Sequence, residues 1–266
     1  MSDRQAEPSQ GRYHPLLELT KARLLEFVRD PESIFWVFAF PVILAVVLGI
    51  AFRDDPSATA QIRTSGPGSR YIDFLIPGLV GLNIMGSCMW GIGYAVVDSR
   101  RRKLLKRFAA TPMRRSHFLL SFMLSRFVFL AAEVGALVLF GRLVFGVKVN
   151  GSIAALGLFA VLGSAAFSGL AVLVAARTDS TEVASGWMNF VQIPMWLFSG
   201  SFFDHARFPE FLHPLIRALP LTAINDSLRL IMNQGVSLDH LWVEMLVLAA
   251  WSAASFVLAM RIFKWH

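Results

Sequence analysis

Residues 98–115 read DSRRRKLLKRFAATPMRR, and long apolar runs lie on both sides. Eight positive side chains fall between Arg100 and Arg115. A basic cluster in such a place has two readings. It can grip a nucleic-acid backbone, or it can mark the cytoplasmic side of a membrane protein. Composition separates the two. The hydrophobic fraction is 55% and the charged fraction 16%, against about 25% charge in an average soluble domain. Mean hydropathy is +0.56, and the chain spends 23 Phe and 7 Trp. A net charge of +7 would suit nucleic acid only if a soluble body presented it. Little of this chain can form one, so nucleic acid is excluded as a partner and an integral membrane protein is expected.

Six apolar stretches carry that reading: 33–52, 71–97, 118–145, 152–176, 183–203 and 240–263. Each reaches the roughly 20 residues a helix needs to cross the hydrocarbon core. Their apolar residues surround every helical face, without the two-residue alternation of barrel strands. The expected fold is therefore all-α, with six transmembrane helices. The first stretch starts too late, behind too much charge, for a simple cleaved signal, and reads as a retained span. Lys and Arg then set the orientation. With the N-terminus in the cytoplasm, 16 of the 25 fall inside and seven outside, with Arg126 and Arg142 within the third stretch. That bias places both termini on the cytoplasmic side.

Residues 1–14 read as a flexible N-terminus and 15–266 as one transmembrane domain. Two segments read as helical without crossing. Residues 15–30 start at a Pro suited to a first helical turn, and Leu16, Leu17, Leu24, Phe27 and Val28 share a face. This predicts an amphipathic helix at the membrane interface. Residues 208–235 hold two short apolar helices broken at Pro220. They read either as a shallow re-entrant hairpin or as two external surface helices, between the fifth and sixth spans.

Chemistry-bearing motifs are few. The single cysteine, Cys88, falls inside the second stretch, so no disulfide or thiolate metal site is expected. Asp204, His205 and His213 have no standard ligand spacing, and no metal is expected. The glycines of GRLVFGVKV, residues 141–149, have phosphate-loop separation, but Val147-Lys148 stands where Lys-Ser/Thr is required. No ATP site, cofactor or catalytic constellation is expected in this chain. Glu133 lies near the middle of the third stretch with Arg126 seven residues before it, and an unpaired carboxylate there is costly. It reads as protonated or as paired with Arg126 or Arg142, either lining a path or closing an internal hydrogen bond. In the fifth stretch Ser185, Asn189, Gln192, Trp196 and Ser199 fall within ~80° of one another on a helix. That polar stripe suits a translocation path or a protomer interface better than lipid. Ser87 with Gly91, and Ser164 with Ser168, supply small faces for close packing.

The ordered set of motifs resembles the permeases of ABC-type export systems of the second class, ABC-2. It comprises RRKLLKRFAATPMRRSHFLLS between spans two and three, Pro194-Met195 and Phe198-Ser199-Gly200 in span five, then Leu219-Pro220-Leu221-Thr222 and Leu228-Arg229 before span six. The resemblance covers about residue 16 to the C-terminus. It implies a bacterial inner-membrane permease, not itself an enzyme, that exports a hydrophobic or lipid-like compound. Two permease chains, most simply a homodimer, would pair above two copies of a separate ATPase that holds ATP and Mg. Residues 98–108 would form the cytoplasmic coupling helix. Leu104, Leu105 and Phe108 would enter the ATPase, while Arg101 and Lys106 face its acidic rim and anionic lipid. A purely orienting role for the charges is the other reading, although it leaves the apolar trio unexplained. Members of the family often carry Glu where this chain has Lys106, so a Glu-mediated ATPase contact does not transfer. Export of lipid-linked polysaccharide, a channel or assembly subunit, and a membrane-embedded enzyme are the competing functions.

Overall fold

The computed structural model describes residues 15–53, 69–102, 115–178 and 180–262, with no strand among them. The elements are α1 (Pro15–Val28), α2 (Pro31–Ala51), α3 (Tyr71–Arg101), α4 (Arg115–Phe145), α5 (Ile153–Ala175), α6 (Thr181–Phe198), α7 (His213–Arg217), α8 (Pro220–Arg229) and α9 (Trp242–Ile262). Five of them, α2, the Ser125–Phe145 part of α4, α3, α5 and α9, contain stretches long and apolar enough to cross a membrane. α6 is not among the five. It has 18 residues, and Glu182, Asn189 and Gln192 lower its hydropathy. The fifth apolar stretch also ends earlier than its sequence suggests. Gly200 takes a left-handed φ of 71°, which glycine adopts without steric cost and which closes a helix.

α3 is the central helix, buried along most of its length between α2, α4, α5 and α8. It continues without a break through Asp98 to Arg101. The first residues of the expected coupling helix are thus the end of this long helix. Leu104, Leu105, Lys106 and Phe108 lie outside the described residues.

Prolines inside two helices explain two long-range contacts. Pro41 has no N–H to return to the Val37 carbonyl, and Asn83 Nδ2 of α3 donates to that oxygen at 3.0 Å. Pro77 likewise leaves the Asp73 carbonyl, which accepts from Asn233 Nδ2 at 2.9 Å. Each proline frees an acceptor on one helix, and an amide from a distant part of the chain fills it. α2 is started by Asp30, whose carboxylate accepts from the Glu32 N–H at 3.2 Å and from Ser33 Oγ at 2.5 Å. The Ser33 hydrogen bond holds the Asp30 carboxyl below the usual carboxylate range.

α1 lies against α4, with Phe27 and Phe129 ring centroids 4.3 Å apart. The expected apolar face is divided. Leu16, Leu24 and Phe27 are half-buried, while Leu17, Leu25 and Val28 are exposed. The two halves of 208–235 also differ. Phe211 and Leu215 are exposed, whereas α8 is buried at nine of its ten positions. α8 packs on α3, α5 and α9, so it is an interior helix and not a surface one.

Glycines make its seat. A Cβ on Gly81 of α3 would collide with the Asn225 side chain, and one on Gly163 of α5 with Ile224. Arg229 closes the other end of α8. Its guanidinium is fully buried, with its carbon 3.7 Å from the Phe74 ring centroid. It donates to the Phe74 carbonyl at 3.2 Å, to Asp226 Oδ1 at 3.4 Å and to the Gly200 carbonyl. Burial lowers its pKa to about 10, and Asp226 opposes that shift, so Arg229 is a cation at neutral pH.

Candidate functional site

Three groups of residues carry chemistry that packing alone does not require. The first is a polar cluster deep between α3, α4 and α5. Arg126 and Glu133 lie two helical turns apart on α4, on one face. Arg126 Nη1 donates to Glu133 Oε1 at 3.0 Å and Nη2 to Oε2 at 3.2 Å, a two-pronged ion pair. Glu133 is 2% exposed. Ser87 of α3 closes the ring, accepting from Arg126 Nη2 at 2.7 Å and lying 2.9 Å from Glu133 Oε2. Ser164 of α5 stands 3.4 Å from Arg126 Nε and 3.5 Å from the Cys88 sulfur. The carboxylate is therefore paired with Arg126; Arg142 is exposed. The small residues Ser87 and Ser164 supply hydroxyls as well as room.

The second group is the stripe on α6. At 100° per residue, its order around the helix is Ser199, Gln192, Ser185, Trp196, Asn189. Exposure rises in the same order. Ser199 is 0% exposed, Gln192 1%, Ser185 intermediate and Trp196 39%, and Asn189 is exposed. The stripe thus straddles the boundary between the buried and open faces. Gln192 Nε2 donates to the Met188 carbonyl at 3.3 Å, and Asn225 Nδ2 of α8 donates to the Ser199 carbonyl at 3.1 Å. Ser185 Oγ donates back to the Thr181 carbonyl at 2.8 Å. No described residue hydrogen-bonds to the Asn189 side chain. Beyond Asn189 the open face is apolar: Val183, Trp187, Phe190, Ile193 and Leu197 are each more than half exposed. The other edge of α6 packs on α3, where Gly93 leaves room for Met188 and Ala171. Trp90 and Tyr94 of α3 are also exposed.

The third group joins the root of the basic loop to α5 and α6. Arg100 Nη1 donates to the Ala175 and Thr178 carbonyls, each at 3.0 Å. The Ala175 carbonyl is one that the C-terminus of α5 leaves without an intrahelical partner, and a cation there also complements the helix dipole. Arg101 Nη1 donates to Thr181 Oγ1 at 3.0 Å and lies 3.9 Å from Glu182. The C-terminal ends of α3 and α5 and the N-terminus of α6 are thereby tied at one point.

Sequence reasoning singled out Arg126, Glu133 and the stripe. It missed the hydroxyls that complete the ion pair, the capping role of Arg100 and the burial of Arg229. Only spacing within one helix was readable, and these partners come from other helices.

The family model described as ABC-2 type transporter matches residues 15–233. A relative, ABC transporter G family member 20 of Dictyostelium discoideum, is 28% identical over 189 residues. That alignment covers 70% of this chain and 26% of the relative, so the match spans about a quarter of the relative's length.

Proposed function

The chain belongs to the ABC-2 type transporter family, and on that premise we propose that it is the membrane-spanning permease of an ATP-driven exporter of hydrophobic or lipid-like compounds. Membrane domains of this family work with an ABC ATPase. In this proposal the ATPase is a separate chain present in two copies, holding ATP and Mg, and the permease is a homodimer in a bacterial inner membrane with both termini cytoplasmic. α1 lies in the cytoplasmic interface, its exposed Leu17, Leu25 and Val28 meeting lipid. The basic loop after α3 docks on the ATPase, with Leu104, Leu105 and Phe108 as the inserting residues. Arg100 and Arg101 pass its movement to α5 and α6.

The observation that carries the reading is Asn189. It sits midway along an 18-residue helix, exposed, with no described residue hydrogen-bonded to it. An amide facing hydrocarbon leaves its hydrogen bonds unmet, at a cost of several kcal/mol by order of magnitude. Water in a path, or a second protomer, removes that cost. The apolar face beside it, with Trp187, Phe190 and Trp196, suits a substrate that is itself largely apolar.

The test is reconstitution of the chain with an ABC ATPase in vesicles loaded with a lipophilic fluorescent dye. ATP-dependent dye movement, with hydrolysis stimulated by the dye, is expected. Asn189→Leu should lower transport by roughly tenfold, about 1.4 kcal/mol in the transport barrier, without lowering the melting temperature. Hydrolysis that proceeds at one rate with and without the permease would overturn the proposal.

A further inference from the structure

We propose that the turn between α4 and α5 binds the headgroup of an anionic phospholipid. The turn holds a cleft of about 390 Å³ lined by Arg142, Gly146, Val147, Lys148, Val149 and Asn150. It belongs to the stretch 141–149, whose glycines have phosphate-loop separation without the residues a nucleotide requires. The glycines serve the turn instead. Gly141 lets α4 approach α3, since a Cβ there would sit 3.1 Å from the Ile76 side chain. Gly146 takes a left-handed φ of 65° and closes α4.

The walls of the cleft are fixed from inside the fold. Val147 is buried. Asn150 donates through its backbone N–H to the Met232 carbonyl at 2.8 Å and through Nδ2 to the Asn233 carbonyl at 2.7 Å. A Cβ on Gly151 would collide with the Ile231 carbonyl, so the turn rests directly on the backbone that follows α8.

Arg142 and Lys148 are not spent on holding this turn. A cation is favoured at the carbonyl end of a helix, but other donors already meet that end of α4. The Gly146 and Val147 N–H groups return to the Arg142 and Gly141 carbonyls at 3.1 Å each, and Arg70 Nη1 donates to the Phe145 carbonyl at 2.9 Å. Arg70 is itself balanced by Asp73, 2.9 Å away. No described residue forms an ion pair or side-chain hydrogen bond with Arg142 or Lys148, and none accepts from the backbone N–H of Lys148 or Val149. The cleft is thus lined by residues that carry two positive charges and two free backbone donors. A phosphate supplies the negative charge and the acceptor oxygens they lack.

The position of the cleft selects a lipid over a soluble anion. It stands at the end of the membrane-length stretch Ser125–Phe145. Leu139, Leu143 and Val144 on the flanking turns of α4, and Ile153 at the start of α5, are each more than half exposed. A headgroup in the cleft leaves its acyl chains beside that apolar surface. A choline or ethanolamine headgroup would add a third cation to the two present, so a net-negative lipid fits best. The site does not rest on the transport reading; only the leaflet does, and with both termini cytoplasmic it is the outer one.

The test uses the purified full chain alone, without ATPase, in nanodiscs. Phosphatidylglycerol or phosphatidylcholine, with the same acyl chains and a photoreactive group beside the headgroup, is crosslinked by light. Labelled peptides are mapped by mass spectrometry after pepsin digestion. Residues 139–153 should take up about tenfold more phosphatidylglycerol, near what one or two cations contribute at an anionic surface. Arg142→Gln with Lys148→Gln should bring that labelling down to the phosphatidylcholine level, while the basic loop at 98–115 keeps its own. Lys148→Arg should retain the preference. Inorganic phosphate, at ionic strength matched with chloride, should not displace the lipid. Equal labelling by the two lipids in the wild type would overturn the site without recourse to any variant. A preference that survives the double substitution would overturn the assigned residues. Displacement by inorganic phosphate would make the ligand a free anion and overturn the lipid assignment.

Discussion

Arg126 and Glu133 show what one pair of residues does to this molecule. Removing two charges from water costs several kcal/mol per ion, and their attraction offsets this only with good geometry and extra hydrogen bonds. Here the geometry is two-pronged, with Ser87 and Ser164 adding contacts. Removing one partner strands the other charge. Arg126→Met and Glu133→Leu should each lower unfolding free energy by about 3–5 kcal/mol, and the double variant should lose less than either single. Thermal and denaturant unfolding in detergent measures this. Additive losses in the double would mean that the pair is not coupled. Glu133→Gln separates two roles. If the charge serves only to hold Arg126, stability and transport should fall together. A loss of transport at unchanged stability would place the charge in the path. The i, i+7 spacing of this pair is legible in the sequence because both residues lie on one helix. Ser87 and Ser164 are not, since the register of α3 and α5 against α4 is a property of packing.

At the scale of elements, the apolar runs are the legible part, because a membrane helix must be apolar over a length fixed by the bilayer. Among the described residues, five helices meet that requirement. α6 and α8 are harder to read for opposite reasons. α6 carries polar residues that interrupt its hydropathy, and α8 has the composition of a surface helix although it is buried. Its polar residues are spent inside. Asn225 donates to the Ser199 carbonyl and to Ser201 Oγ, and Arg229 to carbonyls on α3 and the Gly200 turn. The α3 glycines make a controlled comparison. A Cβ at Gly81 meets Asn225, while one at Gly86 meets nothing within 4 Å. Gly81→Ala should destabilise by about 1–3 kcal/mol, as overpacking does. Gly86→Ala should be neutral or stabilise by about 0.5–1 kcal/mol through helix propensity. Melting temperatures of the two variants check this. Equal shifts would mean that α8 moves aside freely and does not rest on that groove.

For the molecule as a whole, the proposed homodimer raises the question of which open surface faces lipid and which would face a second copy. Exposed apolar residues occur on α2, α4, α6 and α9 alike, for example Val47, Leu143, Phe190 and Met260. In a bilayer such residues need no partner. Polarity distinguishes α6, because Asn189 lies on its open side and an amide is poorly placed in hydrocarbon. A two-fold interface sets each position near its own copy around the axis, so single cysteines report on it directly. The chain has one cysteine, and Cys88→Ser clears the background. Asn189→Cys should give an oxidised dimer in membranes, weakened when ATP and substrate move the helices. Gln192→Cys should not, since that position is 1% exposed and faces its own protomer. Trp187→Cys tests the far edge of the open face, ~160° around the helix, and should stay monomeric. Crosslinking through 187 but not 189 would turn the partner toward the Trp187 edge and leave Asn189 to water. Crosslinking confined to cysteines at Trp90 or Tyr94 would put α3 at the axis. The path would then run along α3, and the α6 stripe would serve only packing within one chain.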